Sequence, residues 1–370
     1  MTTLLLVLFA ASCGYQVFAT WCSFAFARRR SAVPESGLRF SQIKPLRASE
    51  GQVMESVVEF FEATRGLPHD FYVCSGESAP EGWQDERPGI TWLHLSAPQC
   101  RNGKAATLAL GERYWSGDIF VISDADMTCS EDYLEAVLGE FSDPGVGVVT
   151  CLYRARRGAQ TGLGSVFESL CILDFCASVL VAEKAEGVSF AMGSTMAIRR
   201  ETLEQIGGFE ALEPYLADDF QLGSRSVQQG WRVAIAPTVL ETGLGEPSLA
   251  EALSHQYRWM VTSRVSRPGG HVAFIITQGV LWAFLLLLFD GQLGLATLGC
   301  WWALRVLAGC LQGVLVRKSQ SGFCFWEKLL LPLKDVVFLA VWFLSLRGNR
   351  VRWGSRELEI GSEGRILECR

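Results

Sequence analysis

An α/β domain built on a mainly parallel sheet, with transmembrane helices at both ends of the chain, is what the sequence predicts. Three observations predict it. Thr2 to Ala27 contains no Asp, Glu, Lys or Arg, and apolar sequence returns after residue 270. Between these ends, short β-rich apolar runs alternate with longer segments of helical periodicity. One of those runs ends directly on two carboxylates, as Asp118-Ile-Phe-Val-Ile-Ser-Asp124-Ala-Asp126.

The N-terminal segment has the length of a span, about 20 apolar residues. Arg28, Arg29 and Arg30 follow at once, then Arg39, Lys44 and Arg47. Positive residues stay on the cytoplasmic side, so the N-terminus is expected outside and the next segment inside. Ala25-Phe26-Ala27 resembles a signal-peptide cleavage site. A signal peptide carries its positive charge before the apolar core, which favours a retained anchor.

The α/β region runs from about Phe40 to Arg267. Strands are expected at Phe71–Cys74, Ile90–Leu95, Ile119–Ser123, Val146–Leu152 and Val233–Ala236. Val53, Val57, Phe60, Phe61 and Thr64 share one helical stripe. Strands alternating with helices imply a sheet covered on both faces. Ligands on such sheets bind beyond the carboxyl ends of the strands.

After this region, Val272 to Phe289 is uncharged and long enough to span. Asp290-Gly291-Gln292 makes a short turn, and Leu293 to Val316 returns with Arg305 as its only charge. A charge inside a span faces a cavity or a partner. Arg317, Lys318 and Lys328 then mark the cytoplasmic side. Pro332, Lys334 and Asp335 interrupt Leu329 to Leu346, so that stretch is expected as a re-entrant or interfacial segment. The boundaries are therefore an anchor over 1–30, a catalytic domain over 31–267 ending in an interfacial helix, membrane segments over 268–346 and a cytoplasmic tail over 347–370.

Composition narrows the chemistry. The 370 residues carry a net charge of −6, which excludes a nucleic-acid partner held by a basic field. Twelve cysteines are scattered without a C-x-x-C pair and only four histidines occur, so no zinc site is visible. Buried reduced thiols fit a reducing compartment.

Three motifs and one lysine carry candidate chemistry. At the end of a strand, Asp124 and Asp126 can converge on Mg2+ or Mn2+, which accept one or two carboxylates together with phosphate oxygens and water. A solvated strand end or a helix cap is the other reading. Next, Asp218 and Asp219 precede an apolar helical pattern. Either Asp218 caps that helix and Asp219 favours its first turn, or one acid is a general base for an acceptor hydroxyl. Last, His255-Gln-Tyr-Arg258-Trp259 stands just before the membrane segments. Arg258 suits the charge that develops on a departing diphosphate, and Trp259 offers a flat wall at an interface. An amphipathic anchoring helix with Arg264 and Arg267 explains the same residues. Lys104, in Arg101-Asn-Gly-Lys104, is a candidate phosphate or uracil-side contact or else a solvated surface lysine.

With these residues assembled, the sequence resembles the family 2/21 lipid glycosyltransferases of ceramide glucosyltransferase type, and most nearly the bacterial hopanoid-biosynthesis glycosyltransferases. The resemblance runs through Ile43-Lys-Pro-Leu46, Asn102-Gly-Lys104, Ile122-Ser-Asp-Ala-Asp126 and Val148-Val-Thr-Cys-Leu-Tyr153. It continues through Phe190-Ala-Met-Gly-Ser-Thr-Met-Ala-Ile-Arg-Arg200, Gly207-Gly-Phe-Glu-Ala211, Tyr215 to Gly223, Arg258-Trp259 and Arg264-Val-Ser-Arg-Pro-Gly-Gly270. That family is described by three aspartate positions and a (Q/R)xxRW box. Carried over, the second position is Asp124, with Asp126 completing D-x-D, and the third, the base, is Asp219. The first aspartate is absent from Val73-Cys-Ser-Gly-Glu77, where Glu77 is the nearest carboxylate, and His255 stands where Gln or Arg is typical.

The resemblance implies a GT-A, Rossmann-like domain on the cytoplasmic side of a bacterial inner membrane. It implies inverting transfer of glucose or N-acetylglucosamine from a UDP-sugar to a hopanoid- or ceramide-type lipid hydroxyl. Asp124 and Asp126 would hold the divalent metal. Glu77, Lys104, Asp124, Asp218, His255 and Trp259 would bind substrate, Asp219 would take the proton and Arg258 would steady the leaving group. A processive polysaccharide synthase and a catalytically silent scaffold are the rival expectations.

Overall fold

The computed structural model describes residues 1–35, 37–46, 51–67, 69–96, 102–156, 162–313, 325–354 and 356–369. Arg47, Arg317 and Lys318, expected as flanking charges, and Arg101, in the run before Lys104, lie outside them.

The strands are β1 Phe40–Leu46, β2 Asp70–Ser75, β3 Ile90–His94, β4 Ile119–Ile122, β5 Met127–Thr128, β6 Val146–Ala155, β7 Met196–Arg199 and β8 Arg232–Thr242. They form one sheet in the order β3-β2-β1-β4-β7-β6-β8-β5. β3, β2, β1 and β4 are parallel to one another, and β6 and β8 are parallel. β7 runs against both β4 and β6, and β5 runs against β8. The sheet is thus mainly parallel, and all five strands expected from apolar runs are in it. β1 was not legible as an apolar run because Ser41, Gln42 and Lys44 interrupt it, yet all three are buried.

Each face of the sheet is covered as parallel strands require. On one side lie the helices Gly51–Thr64, Tyr133–Glu140 and Leu163–Glu186, packed through Val57, Phe60, Leu134, Val137, Ile172 and Leu180. On the other lie Gly103–Gly111, Arg200–Gln205 and Asp218–Gln228, packed through Leu108, Leu203 and Leu222. In the first helix the predicted stripe turns inward: Val57 and Phe60 are fully buried, and Phe60 meets Tyr133 edge-on at 5.2 Å. Thr64 closes that helix by donating to the Phe60 carbonyl at 2.9 Å.

Among the described residues three helices are long and apolar enough to cross a membrane: Thr2–Ala27, Leu163–Glu186 and Gly291–Gln312. The middle one lies within the α/β region read from Phe40 to Arg267, where no span was expected. Its Glu168, Asp174, Glu183 and Lys184 hid it in the sequence. The expected span Val272 to Phe289 is bent: it breaks at Gln278, and the helices on either side, which together are apolar enough to cross, meet at 52°. Asp290 forms the expected turn and caps the next helix by accepting from Leu293 N at 3.0 Å.

Charged groups join these helices. At the end of the N-terminal helix, Arg29 donates to Glu183 at 2.7 Å. Deeper in, Arg305 is 1% exposed. It donates to Asp335 at 2.8 and 3.0 Å, to Asp174 at 2.6 Å and to Gln16 at 3.2 Å. Lys334 also pairs with Asp174 and Asp335. One cluster therefore ties the N-terminal helix, Leu163–Glu186, Gly291–Gln312 and the short helix Leu331–Ser345. Lys334 and Asp335, two of the three residues that interrupt Leu329 to Leu346 in the sequence, are thus its inward-facing anchor.

The last segment, expected as a tail, is a second, antiparallel sheet of β9 Arg350–Trp353, β10 Arg356–Ile360 and β11 Ile366–Cys369. It packs through Val351, Leu358 and Ile360 against Leu216 and Val261. Its backbone meets the loop before Asp218: Leu216 N donates to Gly364 O at 2.9 Å and Ile366 N to Pro214 O at 2.8 Å.

Candidate active site

The order of strands places the crossover point of the sheet between β1 and β4, where open α/β sheets bind ligands. β4 delivers Asp124 there. Ser123 N still donates to Ile43 O at 3.2 Å, after which the chain leaves the sheet and turns, with Met127 N donating to Asp124 O at 3.1 Å. The turn brings Asp126 against β8, where it accepts from Thr242 Oγ1 at 2.6 Å.

Asn102 organises the opposite wall. Its Oδ1 caps the helix Gly103–Gly111 by accepting from Lys104 N and Ala105 N. Its Nδ2 donates to Asp218 Oδ1 at 3.0 Å and to Tyr215 O at 3.0 Å. That cap aims Lys104 inward, where Nζ meets Asp124 Oδ1 at 2.6 Å and lies 3.6 Å from Asp218 Oδ2. Lys104 is therefore not a solvated surface lysine. Burial opposes its charge, but Asp124, Asp218 and Asp219 together hold its pKa above the usual lysine value.

The helix Asp218–Gln228 has Ala217 at its N-cap, with no side-chain cap. The capping reading of Asp218 is thereby overturned: its carboxylate turns to Asn102 and Lys104. Asp219, in the same first turn, accepts from Gly193 N at 3.0 Å and from Phe220 N at 2.7 Å. Burial, and next the neighbouring Asp218 charge, push the Asp219 carboxyl up to about 6, with Lys104 pulling the other way. Burial raises Asp124 as well, while Lys104 lowers it.

Gly193 joins the two acid pairs. Its carbonyl accepts from Asp124 N at 3.0 Å while its N–H holds Asp219. A Cβ there would lie 2.4 Å from Asp124 Oδ2 and 3.3 Å from Lys104 Nζ. We expect Gly193→Ala to cut turnover about 10- to 100-fold, as displacements near 1 Å do. Its thermal transition should stay close to the parent's, and kcat with a melting curve checks both.

Arg258, on the helix Leu249–Ser266, faces the same cavity, and its guanidinium lies 5.9 Å from the Trp353 ring of β9. That guanidinium makes no hydrogen bond with the described residues. Burial lowers its pKa, countered first by Asp219. His255 bonds to the buried Glu168 and stands edge-on to Trp259 at 4.8 Å, and Trp259 packs on Phe175 at 5.4 Å. The box thus binds this helix to Leu163–Glu186.

A single cavity of about 1530 Å³ is lined by Lys104, Asp124, Asp126, Asp218, Asp219, His255, Arg258 and Trp259. It continues between the apolar helices past Ala19, Ile172, Phe175 and Val179 to Arg305. Glu77 is the expected site residue that does not join them. It is exposed beyond β2, and Gly76 lines the cavity in that stretch. Sequence reasoning reaches Asn102 and Gly193 only as members of motifs. It missed Thr242, Glu168 and Trp353, which lack any local signal because their partners are far along the chain.

Among the described residues no three His, Cys, Asp or Glu side chains converge into a complete metal site. Two carboxylates open to one cavity are still the donor set that Mg2+ or Mn2+ takes beside a diphosphate, which supplies the remaining oxygens. The residues therefore fit the ion.

A mannosyltransferase from Pyrobaculum calidifontis, solved with GDP-Man and Mn2+, matches 94% of this chain and 99% of its own at 18% identity, with a TM-score of 0.56. The likeness is one of fold, and the sheet order above is the GT-A arrangement. A glucosyl-3-phosphoglycerate synthase from Mycobacterium tuberculosis, solved with Mn2+, UDP and phosphoglyceric acid, matches 63% of this chain and 80% of its own at 17% identity, with a TM-score of 0.42. The sequence model of glycosyl transferase family 21 matches residues 90–366, from β3 into β11, and the chain belongs to that family.

Proposed function

We propose that this enzyme moves a hexose, glucose or N-acetylglucosamine, from a UDP-sugar to the hydroxyl of a membrane lipid of hopanoid or ceramide type, with inversion, at the cytoplasmic face. The observation that carries the reading is the cavity: Asp124, Asp126, Asp219 and Arg258 line it, and its apolar arm runs between helices long enough to cross a bilayer. A sugar nucleotide is polar and an aliphatic or polycyclic alcohol is not, so one cavity with both linings suits their encounter.

In this reading Asp124 and Asp126 hold Mg2+ or Mn2+, which neutralises diphosphate charge. Asp219 accepts the proton of the attacking hydroxyl. The new bond forms between that oxygen and the anomeric carbon as the carbon–phosphate-oxygen bond breaks, and UDP leaves with the electron pair. Arg258 and Lys104 face the charge that develops on it. Asp218 keeps Lys104 and Asn102 in register, and His255 and Trp259 line the path of the acceptor. Glu77 remains a proposed contact at the nucleotide end, reached only if the loop after β2 closes over the donor. The arginines after the first helix support the orientation.

The test supplies purified enzyme in lipid vesicles with each UDP-hexose in turn and reads products by mass spectrometry. We expect a single hexose on one lipid class and no product after chelation with EDTA. UDP release without a glycosylated lipid, or a ladder of longer saccharides, would refute the proposal.

A further inference from the structure

Behind the D-x-D turn lies a lysine with no part in the reaction above. Lys44 is 0% exposed, and its Nζ donates to Ser123 Oγ at 2.8 Å, to Asp124 O at 2.9 Å and to Met127 O at 3.0 Å. The ammonium also sits 3.4 Å from the centroid of the Phe60 ring. All three protons of the group are therefore used, on three oxygens that only accept from it. No carboxylate pairs with it among the described residues.

The location follows from the sheet. β1 pairs with β4 only from Phe40 to Ile43, opposite Ile119 to Ile122. One residue later β4 ends and the chain turns through Asp124 and Asp126, so Lys44 is the first β1 side chain beside the open turn. Asp124 O and Met127 O are the two ends of that turn, already closed by one backbone bond between these residues. A buried ammonium without an ion partner is costly, and an apolar side chain would serve stability better. The cost is offset where the group is needed, in fixing the turn.

We propose that Lys44 is a positioning residue which, by bridging both ends of the Asp124–Met127 turn, holds the Asp124 and Asp126 carboxylates in the spacing that binds the divalent cation on a nucleoside diphosphate. It acts through the turn and touches neither donor nor acceptor. The proposal rests on the reading of Asp124 and Asp126 as the cation's ligands.

The experiment titrates the detergent-solubilised full chain with Mn2+ in saturating UDP, read by electron paramagnetic resonance. Lys44→Met keeps the apolar stem and removes the three donors. Its Kd for Mn2+ should rise about 10- to 100-fold, the usual consequence of losing an outer-shell support. Raising Mn2+ should then restore most of the lost turnover, which a purely structural defect would not allow. A Kd within about twofold of the parent's, in a variant with a normal melting curve, overturns the proposal. Should Lys44→Met fail to fold, Ser123→Ala removes one of the three acceptors without emptying the core. A Mn2+ Kd raised about threefold supports the proposal, and an unchanged one overturns it. A parent that binds no Mn2+ with UDP would instead sink the assignment of the two aspartates.

Discussion

Asp219→Asn should lower lipid glycosylation by at least about 10³-fold, within the range that loss of a general base produces, while Mn2+ and UDP bind as in the parent. The substitution is nearly isosteric. One amide oxygen can still accept from Gly193 N or Phe220 N, so the first turn of the helix is retained and only the proton acceptor goes. The pH profile provides a second readout. Burial and Asp218 push this carboxyl up to about 6. A base works ionised, so turnover should climb as pH rises through about 6 and level off above it. Acidification below that value should silence the parent by protonating Asp219. In Asp219→Asn the residual rate should lack that limb. Residual turnover near the parent's level, or an unaltered pH limb, would remove Asp219 from its role.

The second large effect is expected far from the chemistry. Arg305→Met should destabilise the folded protein by about 3–5 kcal/mol, the cost of orphaning a buried charge partner. Asp174 and Asp335 would be left to share Lys334, and Trp301 Nε1 would keep its bond to Asp335 at 3.1 Å. In detergent the melting temperature should fall by more than about 5 °C. The double variant Arg305→Met with Asp335→Leu should recover part of the loss, because Lys334 then pairs with Asp174 alone and the cluster is neutral again. A melting temperature within about 1 °C of the parent's for Arg305→Met would show that the cluster does not hold the helices together.

Some of this site is legible residue by residue. The run Ile119–Ile122 is fully buried and leads straight into Asp124, so a local pattern predicted both a strand and the acids beyond its end. The stripe from Val53 to Thr64 predicted a helix, and the run Val146–Leu152 a strand, for the same reason: periodic burial is recorded in the order of neighbours along the chain. Charges inside apolar stretches were harder to read. Arg305 was legible as a residue needing a partner, but its partners Gln16, Asp174 and Asp335 come from three other helices. Asp174 and Glu168 made Leu163–Glu186 resemble a soluble helix, whereas the fold turns one toward Arg305 and the other toward His255.

Taken alone, the amino-acid order determined where five of the eight strands of the main sheet and the first apolar helix lie and which acids end a buried strand, because burial period and chain punctuation are local. Tertiary structure alone decided that Lys104 faces Asp124, that Asp218 turns to Asn102 instead of capping its helix and that Glu77 stays outside the cavity. It also decided that β9, β10 and β11 form a wall against Leu216 and Val261. These facts depend on which strands become neighbours and how helices cross, and such adjacency joins residues too far apart in sequence for any local period to record.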